Sequence, residues 1–303
     1  MSLMQHTRNY GGQSMVAPLR RVLLAPPQNA NWNSTLHTAQ WPALRYLHPP
    51  DFTLAHQQHN ELRRILEASA VEILELPTRA AFSLDAIYAH DASFMTDHGA
   101  IILRMGKTAR LDEPRAHAEF YHRHGIPILG EITAPGTMEA GDMVWLDERT
   151  LLIGRGYRTN AVAITQVRQL LAPFQIEVIA APLPHGAGPE YCLHLMSLMS
   201  MLEDRTMLVD SAWLAVETIE LLDERRFSLI DIAANERDTL ASNGLALGNG
   251  KLLALAENEK TNHKLVQAGF DVRVFCGSAI GINGGGGPTC LTRPLLRGAN
   301  ETL

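Results

Sequence analysis

The sequence is poor in cysteine and lacks long apolar or basic runs, and each absence excludes a class of protein. Cys192, Cys276 and Cys290 are the three cysteines among 303 residues, and their spacing fits no paired-cysteine metal or redox motif. Three cysteines cannot form a disulfide framework without leaving one over, so we expect a reducing, cytoplasmic setting. No apolar run approaches the roughly 18 residues that cross a bilayer. The N-terminal stretch also lacks the apolar core of a signal peptide.

The charge balance is mildly acidic. There are 26 lysines and arginines against 32 aspartates and glutamates, which gives a net charge of −6 with neutral histidines. This balance, without basic clusters, argues against a protein that binds nucleic acid by neutralising phosphates. With 46% hydrophobic and 19% charged residues, the composition is that of a folded globular chain and not of a disordered one.

Four segments of the chain share one pattern, in which two short apolar runs flank a polar or glycine-containing turn. This pattern predicts β-hairpins. The hairpins open at Asp91, Gly141, His194 and Asn243, with helical stretches near them at residues 116–125, 161–171, 216–222 and 262–269. The chain before them predicts a mobile segment over 1–18, a buried strand over 20–27, a long loop over 28–50 that could form a lid, an amphipathic helix over 54–70 and a strand over 71–76.

One polar residue stands near the start of each repeat. Asp91, Asp142, His194, Asn243 and Cys290 are separated by intervals of 51, 52, 49 and 47 residues, and Cys290 lies in a final strand-like segment. Periods of this length predict an array or a closed ring in which equivalent positions converge on the central axis. Because unpaired polar groups are costly to bury, we interpret the convergence as an active site rather than a structural axis. Asn243 has no assigned role beyond lining it.

The thiol of Cys290 is the candidate nucleophile. It follows four glycines and a proline in NGGGGPTC, a run that allows close approach of the backbone to a ligand. The run is not a phosphate loop, because no lysine and hydroxyl residue follow it. A buried cysteine can also act as a small apolar residue. A lone histidine in an apolar run that reads as a strand is more often a core residue, but His194 stands at the matching register, where it offers a base and favours the nucleophile.

Three carboxylates accompany these residues in apolar surroundings. Glu139 and Asp142 lie in MEAGDMVW, and Asp91 lies in YAHDASFM. Three half-buried carboxylates in one site repel each other unless a cation, either a metal or an organic ligand, lies between them. Beside a thiol nucleophile, an organic cation is the better fit. A planar guanidinium matches paired carboxylates through two parallel hydrogen bonds.

With these residues, the chain resembles the guanidino-modifying enzymes, which include dimethylarginine dimethylaminohydrolases, arginine deiminases and amidinotransferases. The resemblance is carried, in order, by HDASFMTDHGAIILRMG, MEAGDMVWLDERTLLIGRGYRTN, LHLMS and GGGGPTCLTRPL. It implies a five-bladed α/β propeller (the pentein fold) of repeated ββαβ modules. We therefore expect one catalytic domain over residues 19–303.

The resemblance also implies roles for individual side chains. Cys290 matches the nucleophile, His194 the acid/base, and Glu139 the carboxylate of a Glu-Gly-Gly-Asp motif that here reads Glu-Ala-Gly-Asp. Asp91 matches the acid that binds the guanidinium, and we place Asp142 with Asn243 among the residues that bind the substrate.

The resemblance further bears on the substrate. Arg104 and Arg158 match arginines that hold the substrate α-carboxylate, which favours an amino acid over a decarboxylated amine. Met196 stands where arginine deiminases typically have an acid and the dimethylaminohydrolases usually a lysine. His90 stands where the latter commonly have an acid. Methylated arginine, free arginine and other guanidino acids therefore stay open as substrates.

The expected activity is cleavage of a guanidino C–N bond through an S-alkylthiouronium intermediate on the cysteine, which yields a ureido product and an amine or ammonia. The alternatives are transfer of the amidino group to an acceptor amine and, less favoured, non-catalytic arginine binding. We expect no cofactor and no catalytic metal. The expected partner is a small guanidino amino acid, with no nucleic acid and no membrane, and with a homodimer as a possible assembly.

Overall fold

Fifteen strands form five separate three-stranded sheets in the computed structural model, which describes residues 9–298. The strands are β1 Leu19–Leu24, β2 Glu72–Glu75, β3 Ser93–Thr96, β4 Gly99–Ile102, β5 Ile128–Glu131, β6 Met143–Asp147, β7 Thr150–Arg155, β8 Glu177–Pro182, β9 Met199–Glu203, β10 Thr206–Val209, β11 Ser228–Asp231, β12 Leu245–Gly248, β13 Lys251–Leu255, β14 Asp271–Phe275 and β15 Arg293–Arg297. The α-helices are α1 Thr35–Thr38, α2 Trp41–Leu44, α3 Phe52–Ala68, α4 Glu113–Arg123, α5 Ala161–Leu171, α6 Val216–Glu224 and α7 Glu259–Gln267.

Each sheet is one blade with the same topology. An antiparallel hairpin, such as β3 and β4, is followed by a helix and by a third strand that runs parallel to the second. The same arrangement recurs in the sheets β6-β7-β8, β9-β10-β11 and β12-β13-β14. The predicted ββαβ repeat and the five-bladed α/β propeller are therefore confirmed.

The fifth blade joins the two ends of the chain. Its strand order is β15-β1-β2, with β15 antiparallel to β1 and β1 parallel to β2. In register, Val22 pairs with Pro294 and Leu23 with Arg293. The strand after Cys290 thus occupies the place that the first hairpin strand has in the other blades, and it closes the ring.

Burial decreases from the first strand of a blade to the third. Every residue of β3 and β4 is buried, whereas β11 is exposed over most of its length. Helices cover the outside. In α5, Asn160 caps the N-terminus by accepting a hydrogen bond from Ala163 N, and the buried side chains follow helical spacing. Among the helices of residues 9–298, none combines the length and apolar character needed to cross a bilayer.

Several element boundaries differ from the sequence-based expectation. Helices α4 and α7 begin three residues earlier than predicted, at Glu113 and Glu259. In α4, Pro114 fits the first turn because its missing N–H has no partner there anyway. The predicted loop over residues 28–50 contains the short helices α1 and α2.

The described part of the N-terminal segment lies against the propeller. Gly11 N donates to Leu295 O at 2.8 Å, and Arg297 N donates to Gly11 O at 2.9 Å. Gln13 Nε2 donates to Glu148 O at 2.6 Å. Residues 9–18 are therefore anchored by hydrogen bonds. Residues 1–8 and 299–303 lie outside the described residues, and the domain boundary at residue 19 stays a prediction.

Candidate active site

The five register residues lie at one end of the ring. Asp91, Asp142, His194, Asn243 and Cys290 each come shortly before the first strand of a blade, namely β3, β6, β9, β12 and β15. Because these five strands are equivalent in the repeat, their N-terminal ends meet on the same side of the axis. The structure thus brings together the residues that the sequence period selected.

Cys290 contacts Asn243. The residue lies in a turn before β15 and not in a strand, because the bonded turn from Gly287 to Thr292 precedes the first sheet pairing. Asn243 Nδ2 lies 3.2 Å from Cys290 Sγ, and Asn243 Oδ1 accepts from Thr289 N at 3.0 Å. Asn243 therefore holds both the thiol and the backbone just before it, which is more than the lining role expected from the sequence.

The glycine run permits this arrangement. A Cβ on Gly287 would lie 2.6 Å from the side chain of Asn243, and a Cβ on Gly286 would lie 2.5 Å from the ring of Tyr88 and 3.0 Å from Cys290 Cβ. Both positions exclude a side chain, so the close approach to the thiol requires glycine.

The surroundings of Cys290 favour its protonated thiol. Burial and the negative charge of Asp91 raise its pKa to about 11, although the charge of His194 and the hydrogen bond from Asn243 act in the opposite direction. A thiolate, the reactive form, therefore needs an additional positive charge near the sulfur.

Glu139 and His194 form a buried pair. His194 Nε2 lies 2.8 Å from Glu139 Oε2, and the glutamate is fully buried. The other carboxylate oxygen, Oε1, accepts from Gly106 N at 3.0 Å and from Lys107 N at 3.1 Å. Arg158 Nη1 lies 3.4 Å from the same oxygen. Donors thus surround the carboxylate on all sides.

The surroundings favour the charged form of both members of the pair. Burial raises the pKa of Glu139, but the hydrogen bond and charge of His194 and the charge of Arg158 outweigh burial and lower it to about 2. Burial lowers the pKa of His194, but Cys192, Asp142 and the bond to Glu139 raise it well above its usual value. The imidazolium can therefore donate a proton at neutral pH.

Asp142 positions the backbone next to His194. Its Oδ1 accepts from Leu195 N at 2.8 Å, and His194 N donates to Ser197 Oγ at 3.1 Å. His194 therefore precedes a short 3₁₀ turn over residues 195–197. The prediction that it lies in a strand is wrong, because these side-chain bonds turn the backbone before β9 begins. Asp142 is fully buried, which raises its pKa to about 6.

Asp91 binds an arginine of the protein itself. Its Oδ2 accepts from Arg110 Nη1 at 2.6 Å, and its Oδ1 accepts from Gly141 N at 3.0 Å. Arg110 also forms two parallel bonds with Glu113, at 2.9 and 2.8 Å. Burial raises the pKa of Asp91, but the charges of Arg110 and His194 outweigh it and hold the pKa well below its usual range.

Gly141 joins Asp91 to His194. A Cβ on this glycine would lie 2.3 Å from His194 Nδ1 and 3.1 Å from Asp91 Oδ1. The two side chains therefore pack over the same backbone position, which places the guanidinium-binding candidate beside the acid/base candidate.

The two candidate carboxylate-binding arginines have different surroundings. Arg158 is buried against Glu139, whereas half-buried Arg104 donates to Gly136 O at 3.3 Å. Their segments adjoin, because a Cβ on Gly106 would lie 2.9 Å from Arg158 O. Their role toward an α-carboxylate stays a prediction.

The segment over residues 28–50 packs beside the glycine run. His48 N donates to Asn283 Oδ1 at 2.9 Å, and Lys107 Nζ donates to Leu44 O at 2.9 Å. Arg45 forms an ion pair with Glu190 at 3.1 Å. That the segment forms a lid stays a prediction.

Three candidate functional residues were not predicted from the sequence. Arg110 and Glu113 form a buried network with Asp91, and their spacing of three residues, from the turn before α4 to its first residue, was the available signal. The third is exposed Cys192, whose Sγ atom lies 3.5 Å from His194 Nδ1 and 3.7 Å from His194 Nε2. Side chains two residues apart in an extended stretch point to the same side, so the spacing of Cys192 and His194 could have predicted their contact.

Comparisons with known proteins agree with this geometry. A family model described as arginine deiminase matches residues 83–221 and 210–297, more than half of the chain. The uncharacterised protein YkgA of Bacillus subtilis is 24% identical over 282 residues, which cover 92% of this chain and 93% of that protein. The N(G),N(G)-dimethylarginine dimethylaminohydrolase of Pseudomonas aeruginosa is 29% identical over 227 residues, which cover 75% and 83%.

A solved structure supports the same conclusion. A mutant dimethylarginine dimethylaminohydrolase from Pseudomonas aeruginosa, complexed with citrulline, superposes with a TM-score of 0.73 at 25% identity, over 91% of this chain and 99% of that chain. Together with the family model, this likeness covers all five blades. The chain belongs to the arginine deiminase family.

Proposed function

We propose that the protein hydrolyses a guanidino C–N bond of arginine or of a substituted arginine through a covalent intermediate on Cys290. The observation that carries the proposal is the Glu139–His194 pair at the same end of the propeller as the half-buried thiol of Cys290 and the carboxylate of Asp91. An acid/base, a nucleophile and a carboxylate for a cation are the groups that this chemistry requires.

Binding begins at Asp91. Each of its carboxylate oxygens accepts one bond in the structure, from Gly141 or from Arg110, and each has a further lone pair. A substrate guanidinium can therefore donate to Asp91 without displacing Arg110. The internal arginine fixes the carboxylate in its ionised form.

The substrate then activates the nucleophile. The Cys290 thiol, with its pKa of about 11, is neutral before binding. A guanidinium placed against the sulfur adds the missing positive charge and stabilises the thiolate. The proton of Cys290 passes to solvent when the substrate binds, so the reactive thiolate forms in the presence of its target.

The reaction has two halves. The Cys290 thiolate attacks the guanidinium carbon and a C–S bond forms. His194 then protonates the departing nitrogen and the C–N bond breaks, which leaves an S-alkylthiouronium. Neutral His194 next takes a proton from water and the hydroxide adds to the same carbon. The C–S bond then breaks as the new hydroxyl group gives its proton to the departing sulfur, which forms the C=O bond and restores the Cys290 thiol. Glu139 stabilises the imidazolium that returns. The products are a ureido compound and an amine or ammonia.

Several relations support this assignment. The relative that shares 25% identity is complexed with citrulline, a ureido amino acid, which is the product class of the proposed reaction. Arg104 and Arg158 offer cations near the site for an α-carboxylate, which favours a free amino acid substrate. None of the proposed steps uses a cofactor or a metal.

The test is product formation from L-arginine and from N(G),N(G)-dimethylarginine, with the wild type, Cys290→Ser and, as a matched control, Cys276→Ser. We expect citrulline from one of these substrates with the wild type and the control and none with Cys290→Ser. Transfer of the amidino group to an added amine without citrulline would support the amidinotransferase alternative. Binding of arginine without turnover would support a non-catalytic binding protein.

A further inference from the structure

A buried arginine near the end of the chain lacks a negatively charged partner. Arg297 lies in β15, the strand that closes the ring, and is 5% exposed. Its Nη1 atom donates to Ala17 O and to Ala246 O, both at 2.8 Å. Within residues 9–298, no carboxylate forms an ion pair with Arg297, and neither Nε nor Nη2 has an acceptor. A buried charge with unused donors is costly unless an anion binds it.

The charge that acts on Arg297 is that of another cation. Burial and the charge of Arg293 lower the pKa of Arg297 to about 9, which still favours the charged guanidinium at pH 7. Arg293 donates from Nη1 to Ser93 O at 3.0 Å, and its Nη2 lies 2.8 Å from His90 Nε2. The charge of Asp91 raises the pKa of Arg293, whereas no carboxylate of residues 9–298 acts on Arg297 in this way. The surroundings of Arg297 therefore leave one positive charge uncompensated.

A small cavity lies beside this guanidinium. Its volume of about 10 Å³ has room for a single particle of the size of a water molecule. Except for Arg297 and a few polar groups, the walls are apolar, with side chains from the N-terminal segment, from β9 and the turn before it, and from β12 and β15. These apolar walls include Met15, Met196, Met201, Leu245 and Pro294.

We propose that this cavity is a binding site for one monatomic, monovalent anion of the halide class, chloride in particular, held by the guanidinium of Arg297. One guanidinium neutralises one negative charge, so a divalent anion would leave a charge unpaired. The volume is too small for phosphate, for sulfate or for the carboxylate of a substrate. A weakly hydrated guanidinium and polarisable thioether sulfurs suit an anion that loses its water readily.

The hydrogen bonds of the lining favour an anion over a water molecule. A buried water has two to four polar partners and must donate as well as accept. Ser200 Oγ already donates to Ser242 O at 2.7 Å, and Thr289 Oγ1 donates to Gly244 O at 3.1 Å. The lining therefore offers the unused donors of Arg297 above all. A halide, which only accepts hydrogen bonds, uses them without needing an acceptor in return.

The position of the cavity separates this site from the proposed reaction. Arg297 connects β15 to the N-terminal segment through Ala17 O and to β12 through Ala246 O, so the anion would bind where the ring closes. His90 and Thr289 line the cavity, whereas the side chains assigned to the reaction do not. Because the unfolded chain has no such site, a bound anion should stabilise the folded ring by mass action.

The binding test is crystallographic, with bromide as the probe for chloride. Crystals of the wild type are soaked in sodium bromide, and diffraction is measured at the bromine absorption edge. We expect an anomalous peak in the cavity, in contact with the guanidinium of Arg297. It should persist in Arg273→Gln, which changes an exposed arginine paired with Asp271, and be lost in Arg297→Gln. A wild-type cavity without an anomalous peak, or a peak that survives in Arg297→Gln, overturns the proposal.

Thermal unfolding then tests binding in solution rather than at the concentration of a crystal soak. Sodium chloride replaces sodium gluconate, whose anion is too large for the cavity, at constant ionic strength, so that screening stays fixed. We expect Tm of the wild type and of Arg273→Gln to rise with chloride and to level off. Arg297→Gln should lack this saturable rise.

The wild type alone keeps the solution test decisive if Arg297→Gln does not fold. A wild-type Tm without a saturable dependence on chloride overturns the proposal, as does a rise of equal size in a folded Arg297→Gln variant. Neither measurement uses substrate turnover, so the anion site stands or falls independently of the proposed hydrolysis.

Discussion

Two fully buried carboxylates, three residues apart in one short segment, have pKa values that are shifted in opposite directions. Glu139 faces His194 and Arg158, and its pKa is lowered to about 2. Asp142 faces Leu195 N, and burial dominates and raises its pKa to about 6. Both are 0% exposed, so burial alone does not decide the charge of a carboxylate. The cationic partners of a buried carboxylate decide its charge. We therefore propose that Glu139 serves the chemistry and that Asp142 positions the turn after His194.

The largest expected difference between the two carboxylates is in catalysis. Glu139→Gln keeps the shape but removes the charge that stabilises the imidazolium of His194, so kcat should fall by about 10²- to 10⁴-fold, the usual contribution of general acid/base catalysis. Asp142→Asn keeps the acceptor for Leu195 N and should lose far less. Steady-state citrulline formation measures both. Equal losses in the two variants would remove the functional distinction between them.

Asp142 should contribute to the stability of the fold through the hydrogen bond that it accepts. Asp142→Ala leaves Leu195 N buried without a partner and should lower the free energy of unfolding by about 1–3 kcal/mol. Asp142→Asn keeps the bond and relieves the burial of a charge, so it should be at least as stable as the wild type at pH 7. Urea unfolding compares the three proteins. A stable Asp142→Ala variant would mean that this hydrogen bond does not hold the turn before β9.

The pH dependence of stability should separate the carboxylates by sign. The lowered pKa of Glu139 contributes stability above its unfolded value of 4.5, and this contribution is lost as the pH falls from 4.5 toward 2. The raised pKa of Asp142 contributes stability below 3.8, and this contribution is lost as the pH rises toward 6. The free energy of unfolding should therefore change less with pH below 4.5 in Glu139→Gln than in the wild type. In Asp142→Asn it should change less between pH 4 and 6. The same profile in both variants would contradict the assignment.

The repeat was readable from the sequence because its signals are local. Apolar runs around polar turns predicted the hairpins, and the constant interval between polar residues located the end of the ring where Asp91, His194 and Cys290 meet. Contacts that depend on tertiary packing could not be predicted from the sequence. Arg110 lies 19 residues after Asp91, in a short turn before α4, and the two meet only through the way the chain packs after the hairpin of β3 and β4. The apolar residues after His194 predicted a strand, because the sequence does not show the hydrogen bond from Leu195 N to Asp142 Oδ1 that turns the backbone there.

The smallest expected effect concerns the arginine on the Glu139 side. Arg158 Nη1 lies 3.4 Å from Glu139 Oε1, and its charge lowers the pKa of Glu139 less than His194 does. Arg158→Gln should therefore move the titration of Glu139 to higher pH, while Arg158→Lys, which keeps the charge, should leave it nearly in place. The carboxyl carbon resonance of Glu139, followed by NMR against pH, reports this directly. If Arg158→Gln leaves the resonance unmoved, His194 and the amides of residues 106 and 107 hold the carboxylate without the arginine. Arg158 would then be free to serve the substrate alone.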